Sequence, residues 1–195
     1  MRHRGRSMAD LTLYLGGTRS GKSARAEADA MKAEGQVLYV ATAYVRPDDA
    51  SLKERIRRHQ VRRPAHWHTL ECPKGLAQGI EKSLAEIPAD GHPVTVLLDC
   101  VTMWITNILF SLPDPDDLVA LEEAARKEVE ELIAFMERSS CRWILVSGET
   151  GLGGIQASAR GRYFCDCLGM VNQLLAAKAS EAWLCVAGKK LRLED

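Results

Sequence analysis

The sequence has no surplus of charge, no paired-cysteine motif and no long apolar run. Lys and Arg number 26, Asp and Glu also 26, so the formal net charge is zero. A chain without a net field is not drawn as a whole to DNA or to anionic lipid. Cysteines stand at 72, 100, 141, 165, 167 and 185 and form no CxxC pair. In apolar runs a reduced thiol packs as a small hydrophobe. His66 and His68 flank Trp67, but H-x-H without a third ligand does not make a zinc site. No apolar stretch approaches the roughly 20 residues that cross a bilayer, and the chain opens without the apolar core of a signal peptide. These absences predict a reducing, cytoplasmic setting, with no membrane span and no nucleic-acid partner. Internal repeats and low-complexity linkers are missing too, so residues 9–195 read as one domain. Residues 1–8, MRHRGRSM, read as a disordered basic extension.

What charge there is lies unevenly. Residues 53–68 carry six Lys/Arg against one Glu, and 114–131 carry eight Asp/Glu against two Lys/Arg. The acidic block reads as a solvated helix face. The basic block, RIRRHQVRRPAHW over 55–67, surrounds one histidine with arginines and needs a polyanion.

Strand and helix patterns alternate. Apolar strands are predicted at Leu11–Leu15, Val37–Ala41, His68–Glu71, Val94–Leu98, Trp143–Val146, Ala182–Val186 and Lys190–Leu193. Helices are predicted at Ser23–Glu34, from Pro47-Asp48-Asp49 through Val61, at Gly75–Glu86, from an Asp114-Pro115 cap, and at Ala159–Glu181. In the long acidic helix Leu118, Leu121, Ala125, Val129, Leu132 and Met136 step by three and four, as an amphipathic helix requires. Continuous apolar strands separated by helices predict an α/β fold, a three-layer P-loop NTPase-like architecture with a largely parallel sheet covered on both faces.

The sharpest local signal is GGTRSGKS, residues 16–23, which satisfies G-x-x-x-x-G-K-[ST] with a strand before it and a helix after it. Gly16, Gly17 and Gly21 let the chain wrap closely while Thr18, Arg19 and Ser20 turn their backbone N–H groups towards phosphate oxygens. The next helix presents its positive end to the anion. Lys22 then reaches the terminal phosphates, and Ser23 holds Mg²⁺. Asp99, at the end of the VTVLL strand, suits the second metal-holding position; it equally suits an N-cap for the helix that follows. These residues predict a nucleoside triphosphate and Mg²⁺ without naming a reaction.

His59 sits at the edge of a helical apolar stripe, a position that also fits a packed structural residue. Its arginine neighbours disfavour a further positive charge and so keep the imidazole neutral. A neutral imidazole beside phosphates can act as nucleophile or base, and guanidinium groups suit bidentate phosphate contact. A basic patch on a nucleic-acid-binding ATPase is the competing reading, opposed by zero net charge and scarce aromatic platforms.

GGTRSGKS, VLYVATA, RIxxHxxxRPxxWxTxE from Arg55 to Glu71, and VNQxLA over Val171–Ala176 follow one another in order. In this the chain resembles the bifunctional adenosylcobinamide kinase / adenosylcobinamide-phosphate guanylyltransferase family. The resemblance implies two reactions late in adenosylcobalamin assembly. A nucleoside triphosphate, ATP or GTP, phosphorylates adenosylcobinamide; GTP then transfers GMP to adenosylcobinamide phosphate through a guanylyl-histidine, releasing pyrophosphate. It places that histidine on His59. Nucleotide contacts fall on Tyr44, Val45 and Arg46, on Gln60, Val61, Arg62 and Arg63, and on Glu71. A homotrimer is implied as well. Two departures stand out: Gly148-Glu149 where the family commonly has Asn-Glu, and a following loop, GLGGIQASARGRYF, without the usual proline and asparagine.

Overall fold

The computed structural model describes residues 10–44, 54, 57, 60, 61, 63–114 and 116–194. Seven strands form one sheet: β1 (Asp10–Gly16), β2 (Val37–Ala41), β3 (His68–Glu71), β4 (Thr95–Asp99), β5 (Arg142–Gly148), β6 (Glu181–Val186) and β7 (Lys189–Leu193). Their order is β3-β2-β4-β5-β1-β6-β7. Every pairing is parallel except β6 with β7, which closes the edge as a hairpin. The helices are α1 (Lys22–Ala30), α2 (Leu76–Ala85), α3 (Val101–Leu109), α4 (Leu118–Arg138) and α5 (Ala159–Ala176). The predicted α/β fold with a largely parallel sheet is the fold observed.

The central strands β1, β2, β4 and β5 are largely apolar because both of their faces are covered, whereas β7 (KKLRL) is exposed along its length. Leu11, Leu13, Leu38, Val40, Val96, Leu98, Trp143 and Leu145 point to one side, into the larger core under α2–α5. Alternate residues, Tyr14, Tyr39, Leu97, Ile144 and Val146, point to the other, into a smaller core with Ala26 and Ala30 of α1 and Trp67. The period-2 alternation of a strand therefore sorts side chains between two layers. In α4 the expected positions Leu121, Ala125, Val129, Leu132 and Met136 are buried, joined by Ile133 and Phe135, while Leu118 in the first turn is only half-buried. Phe135 meets Trp143 edge to face at 5.8 Å between ring centroids.

Helix ends differ from expectation for local reasons. α1 stops at Ala30 instead of Glu34 because Lys32 and Ala33 donate to the carbonyls three residues back, tightening the last turn. α4 begins at Leu118, not at Asp114-Pro115: the Asp117 carboxylate accepts from Ala120 N at 3.0 Å and is the N-cap. Asp114 instead accepts from Asp116 N at 2.9 Å in the turn before it. α5 ends at Ala176, and Ser180 N donates to Leu11 O at 2.9 Å to start β6 beside β1. Glu54, Arg57, Gln60 and Val61 are helical, as the predicted helix through Val61 requires. Its start at Pro47–Asp49 and the extension over 1–8 lie outside the described residues. Among the described residues, no helix is long and apolar enough to cross a membrane.

Cys167, buried in α5, has its thiol pushed from 9.0 up to about 11, first by burial and then by the Glu122 charge. The folded state therefore holds this proton more tightly than the unfolded chain. The associated stability is complete below pH 9 and disappears as pH rises towards 11. Cys167→Ala should flatten that part of the stability-versus-pH curve. Urea titrations at pH 8 and pH 10.5 on both proteins test this; equal pH slopes refute it.

Candidate nucleotide site

The site is built where β1, β4 and β5 end. β1 turns at Gly16 (φ +154°), where an added Cβ would stand 2.5 Å from Cys185 O and 2.6 Å from Ser20 Oγ. Glycine is therefore the residue that fits this close approach. Gly21 (φ +94°) ends the loop and occupies the N-cap position of α1 without a side-chain cap. The first-turn N–H groups of α1 thus open onto the loop, as anion binding requires. Lys22 Nζ donates to Gly17 O at 3.0 Å, which lays the ammonium along the inside of the loop. On its far side, the β6–β7 turn supports the loop: Gly188 N donates to Ser20 O at 2.9 Å. Arg25 donates to Gly188 O from Nε at 3.1 Å and from Nη2 at 2.6 Å. Gly188 has φ +74°, so Gly188→Ala should cost about 1–2 kcal/mol. A urea midpoint equal to that of the parent would contradict this.

Asp99 ends β4 one strand away from the loop, with β5 between. Ser23 Oγ donates to Asp99 Oδ1 at 3.3 Å, and Tyr39 OH donates to Oδ2 at 2.9 Å. The N-cap alternative does not hold, because Cys100 occupies the cap position of α3. Burial first, and then the Asp99 charge, push the Tyr39 phenol far above its ordinary range. It is a permanent donor to the carboxylate. The Arg63 guanidinium carbon lies 3.6 Å from the Tyr39 ring centroid. Its buried Nε finds no acceptor among the described residues, and neither does Ser20 Oγ. At the end of β5, Glu149 N donates to Gly16 O at 3.1 Å. Asn172, from the VNQ run, donates to Gly148 O at 3.0 Å and accepts from Ser147 Oγ at 2.6 Å. Gly148 packs closely here: a Cβ would stand 2.7 Å from Thr102 Oγ1, so a larger residue would need that side chain to shift.

A cavity of about 660 Å³ joins these groups. Of the predicted residues, Gly16, Gly17, Thr18, Arg19, Ser20, Gly21, Lys22, Ser23, Gln60, Arg63, Glu71 and Asp99 line it. Tyr44 and Val61 do not; both side chains are exposed to solvent. His59, Val45, Arg46 and Arg62 lie outside the described residues. Sequence reasoning missed Tyr39, Cys100, Thr102, Met103 and the run 148–150, which line the same cavity. A tyrosine within VLYVA was the available clue, since a buried phenol needs a hydrogen-bond partner.

Ser23 and Asp99 present a hydroxyl and a carboxylate oxygen side by side. No cluster of three or more His, Cys, Asp or Glu suited to a metal occurs among the described residues. Such a sparse, hard-oxygen pair fits Mg²⁺, which keeps several waters and takes further ligands from substrate phosphates.

A largely parallel sheet, a glycine loop opening a helix and a carboxylate that accepts from the serine after that loop define a P-loop NTPase-like fold. The fold agrees with two solved structures: a type III secretion ATPase (TM-score 0.54, 10% identity, 91% of this chain and 51% of that one) and a Pyrococcus horikoshii protein (TM-score 0.51, 7% identity, 95% and 86%). The family model for cobinamide kinase / cobinamide phosphate guanyltransferase matches residues 12–193, and the chain belongs to that family. It is 40% identical to the bifunctional adenosylcobalamin biosynthesis protein CobU of Salmonella typhimurium over 189 residues, 94% of this chain and 99% of that protein. CobU of Escherichia coli is also 40% identical, with the same coverages. CobP of Pseudomonas aeruginosa is 38% identical over 182 residues, 93% and 96% of the two chains.

Proposed function

We propose that this transferase runs both reactions of its family through the cavity described above. In the first, the aminopropanol hydroxyl of adenosylcobinamide attacks the γ-phosphorus of a nucleoside triphosphate, forming adenosylcobinamide phosphate and releasing the diphosphate. In the second, a His59 ring nitrogen attacks the α-phosphorus of GTP. A P–N bond forms, the bond to the bridging oxygen breaks, and pyrophosphate departs. A phosphate oxygen of adenosylcobinamide phosphate then attacks the same phosphorus, breaking the P–N bond and returning a free imidazole. The carrying observation is continuity: one cavity runs from Lys22, Ser23 and Asp99 to Gln60, the neighbour of His59 in sequence, and Arg63.

Charge develops on the phosphoryl oxygens and the leaving pyrophosphate, and Lys22 and the arginines are the groups that meet it. The α1 N-terminus adds its N–H dipoles. Mg²⁺, held by Ser23 and Asp99, supplies Lewis-acid neutralisation of the phosphates when bound. Arg57 is paired with Glu54 at 2.8 Å; the sequence also places Arg55, Arg58 and Arg62 near His59, and positive charge there disfavours an imidazolium. A homotrimer completes the proposal.

Incubation with GTP labelled at the α-phosphate, followed by denaturation, should yield an acid-labile, alkali-stable protein adduct that is missing in His59→Ala. A folded protein that takes no label would leave a simple P-loop kinase. Label surviving in His59→Ala would remove His59 from the chemistry.

A further inference from the structure

Tyr39 joins the two ends of the cavity through three contacts. Its hydroxyl donates to Asp99 Oδ2 at 2.9 Å, and its ring lies 3.6 Å from the Arg63 guanidinium carbon. The same ring stacks with Trp67 at 6.4 Å between centroids and 25° between planes. Arg63 and Trp67 bracket the RPxxW run, so that run is seated on one tyrosine of β2. The ring is 1% exposed, which fixes its position in the sheet. The Asp99 carboxylate is held by two hydroxyl donors from separate elements, Tyr39 on β2 and Ser23 on α1.

We propose that Tyr39 is a positioning residue that sets the metal-holding carboxylate and the phosphate-facing guanidinium with respect to one another. Phenylalanine would supply the face for Arg63 and Trp67 and no donor for Asp99. Serine or threonine on this strand would supply a donor too short to span the gap and no platform. Only a phenol does both. With the hydroxyl present, Oδ2 is directed towards β2 and Oδ1 towards Ser23, so the carboxylate plane is set before a metal arrives. With the ring present, the guanidinium carbon is held 3.6 Å from the ring centroid, on a residue that lines the cavity. This inference rests on the proposed roles of Ser23 and Asp99 towards the metal and of Arg63 towards the nucleotide.

The test reads binding rather than turnover. Mn²⁺ affinity, from the electron paramagnetic resonance signal of free ion, is measured with a non-hydrolysable GTP analogue for the parent, Tyr39→Phe, Tyr39→Leu and Asp99→Asn. Metal-free affinity for the analogue is measured alongside. Tyr39→Phe should weaken Mn²⁺ binding about 10–100-fold, the usual loss when a hydrogen-bond partner of a metal-ligating group is removed, and leave metal-free affinity within twofold. Tyr39→Leu should weaken both, because Arg63 loses its platform. If Tyr39→Leu does not fold, Tyr39→Phe, which conserves volume, decides the matter alone. Unchanged Mn²⁺ affinity in Tyr39→Phe beside a clear loss in Asp99→Asn overturns the coupling only. Unchanged affinity in Asp99→Asn overturns the metal assignment and the coupling with it. Neither result depends on His59, whose label is read separately.

Discussion

Lys22→Ala should lower kcat/KM for nucleotide by about 10²–10³-fold in the kinase and the guanylyl-transfer reactions alike, the usual loss when one preorganised donor to a developing oxyanion is removed. The physical basis is the short contact of Lys22 Nζ with Gly17 O at 3.0 Å. That contact stores the ammonium inside the loop, a small movement from phosphate oxygens, so its reorganisation on binding is slight. The same geometry predicts that the fold does not suffer. The ammonium makes its hydrogen bond at an exposed position, and its removal leaves only one carbonyl to water. Arginine should be a poor substitute, because the loop encloses a point charge and a planar fork needs more room. Initial rates for both reactions, with melting temperatures alongside, give the answer. A variant that keeps one reaction at parental rates would show that the two reactions do not share this loop.

Trp104→Ala should destabilise the protein by about 3–5 kcal/mol, a large fraction of the roughly 5–15 kcal/mol that holds a domain together. Trp104 is 0% exposed in α3 and belongs to the larger core. Its Nε1 donates to Glu128 Oε2 at 2.7 Å, and the same oxygen accepts from Gly75 N at 3.1 Å. One indole therefore ties α3 to α4 and, through that carboxylate, to the start of α2. Deleting it opens a cavity and removes one of those two donors to the Glu128 carboxylate. Trp104→Phe separates the two contributions: most of the volume stays, and the lost donor alone should cost about 1–3 kcal/mol. Urea denaturation reads both variants as shifts in midpoint at constant slope. An alanine variant within 1 kcal/mol of the parent would mean that the packing around α3 collapses to fill the gap.

Much of the fold could be read in the residues because its signals are local. VLYVA, TVLLD and WILV announce buried strands by composition, and GGTRSGKS carries its own geometry in its glycines. Where two local signals compete, reading goes astray. Asp114-Pro115 and Asp117 both suit the start of the acidic helix; Asp114 accepts from Asp116 N in the turn before it, and only Asp117 accepts from an N–H within the helix, that of Ala120. Asp99 was open between capping and facing the loop, and three-dimensional neighbours decided it. The side chains that could not be found are those whose meaning lies in a distant partner. Tyr39 and Asp99 stand 60 residues apart, Arg25 and Gly188 163. Neither pair leaves a periodicity or a spacing in the chain.

The turn at Ala187-Gly188 carries a practical consequence. A surface hairpin near one end of a chain is where tags are fused, tails trimmed and insertions tried, on the assumption that such places are tolerant. Here that assumption fails, because the backbone of this turn and the guanidinium of Arg25 together form the wall behind the phosphate loop. A truncation stopping at Val186 would present itself at the bench as a nucleotide-binding defect, in a protein whose entire GGTRSGKS sequence is intact.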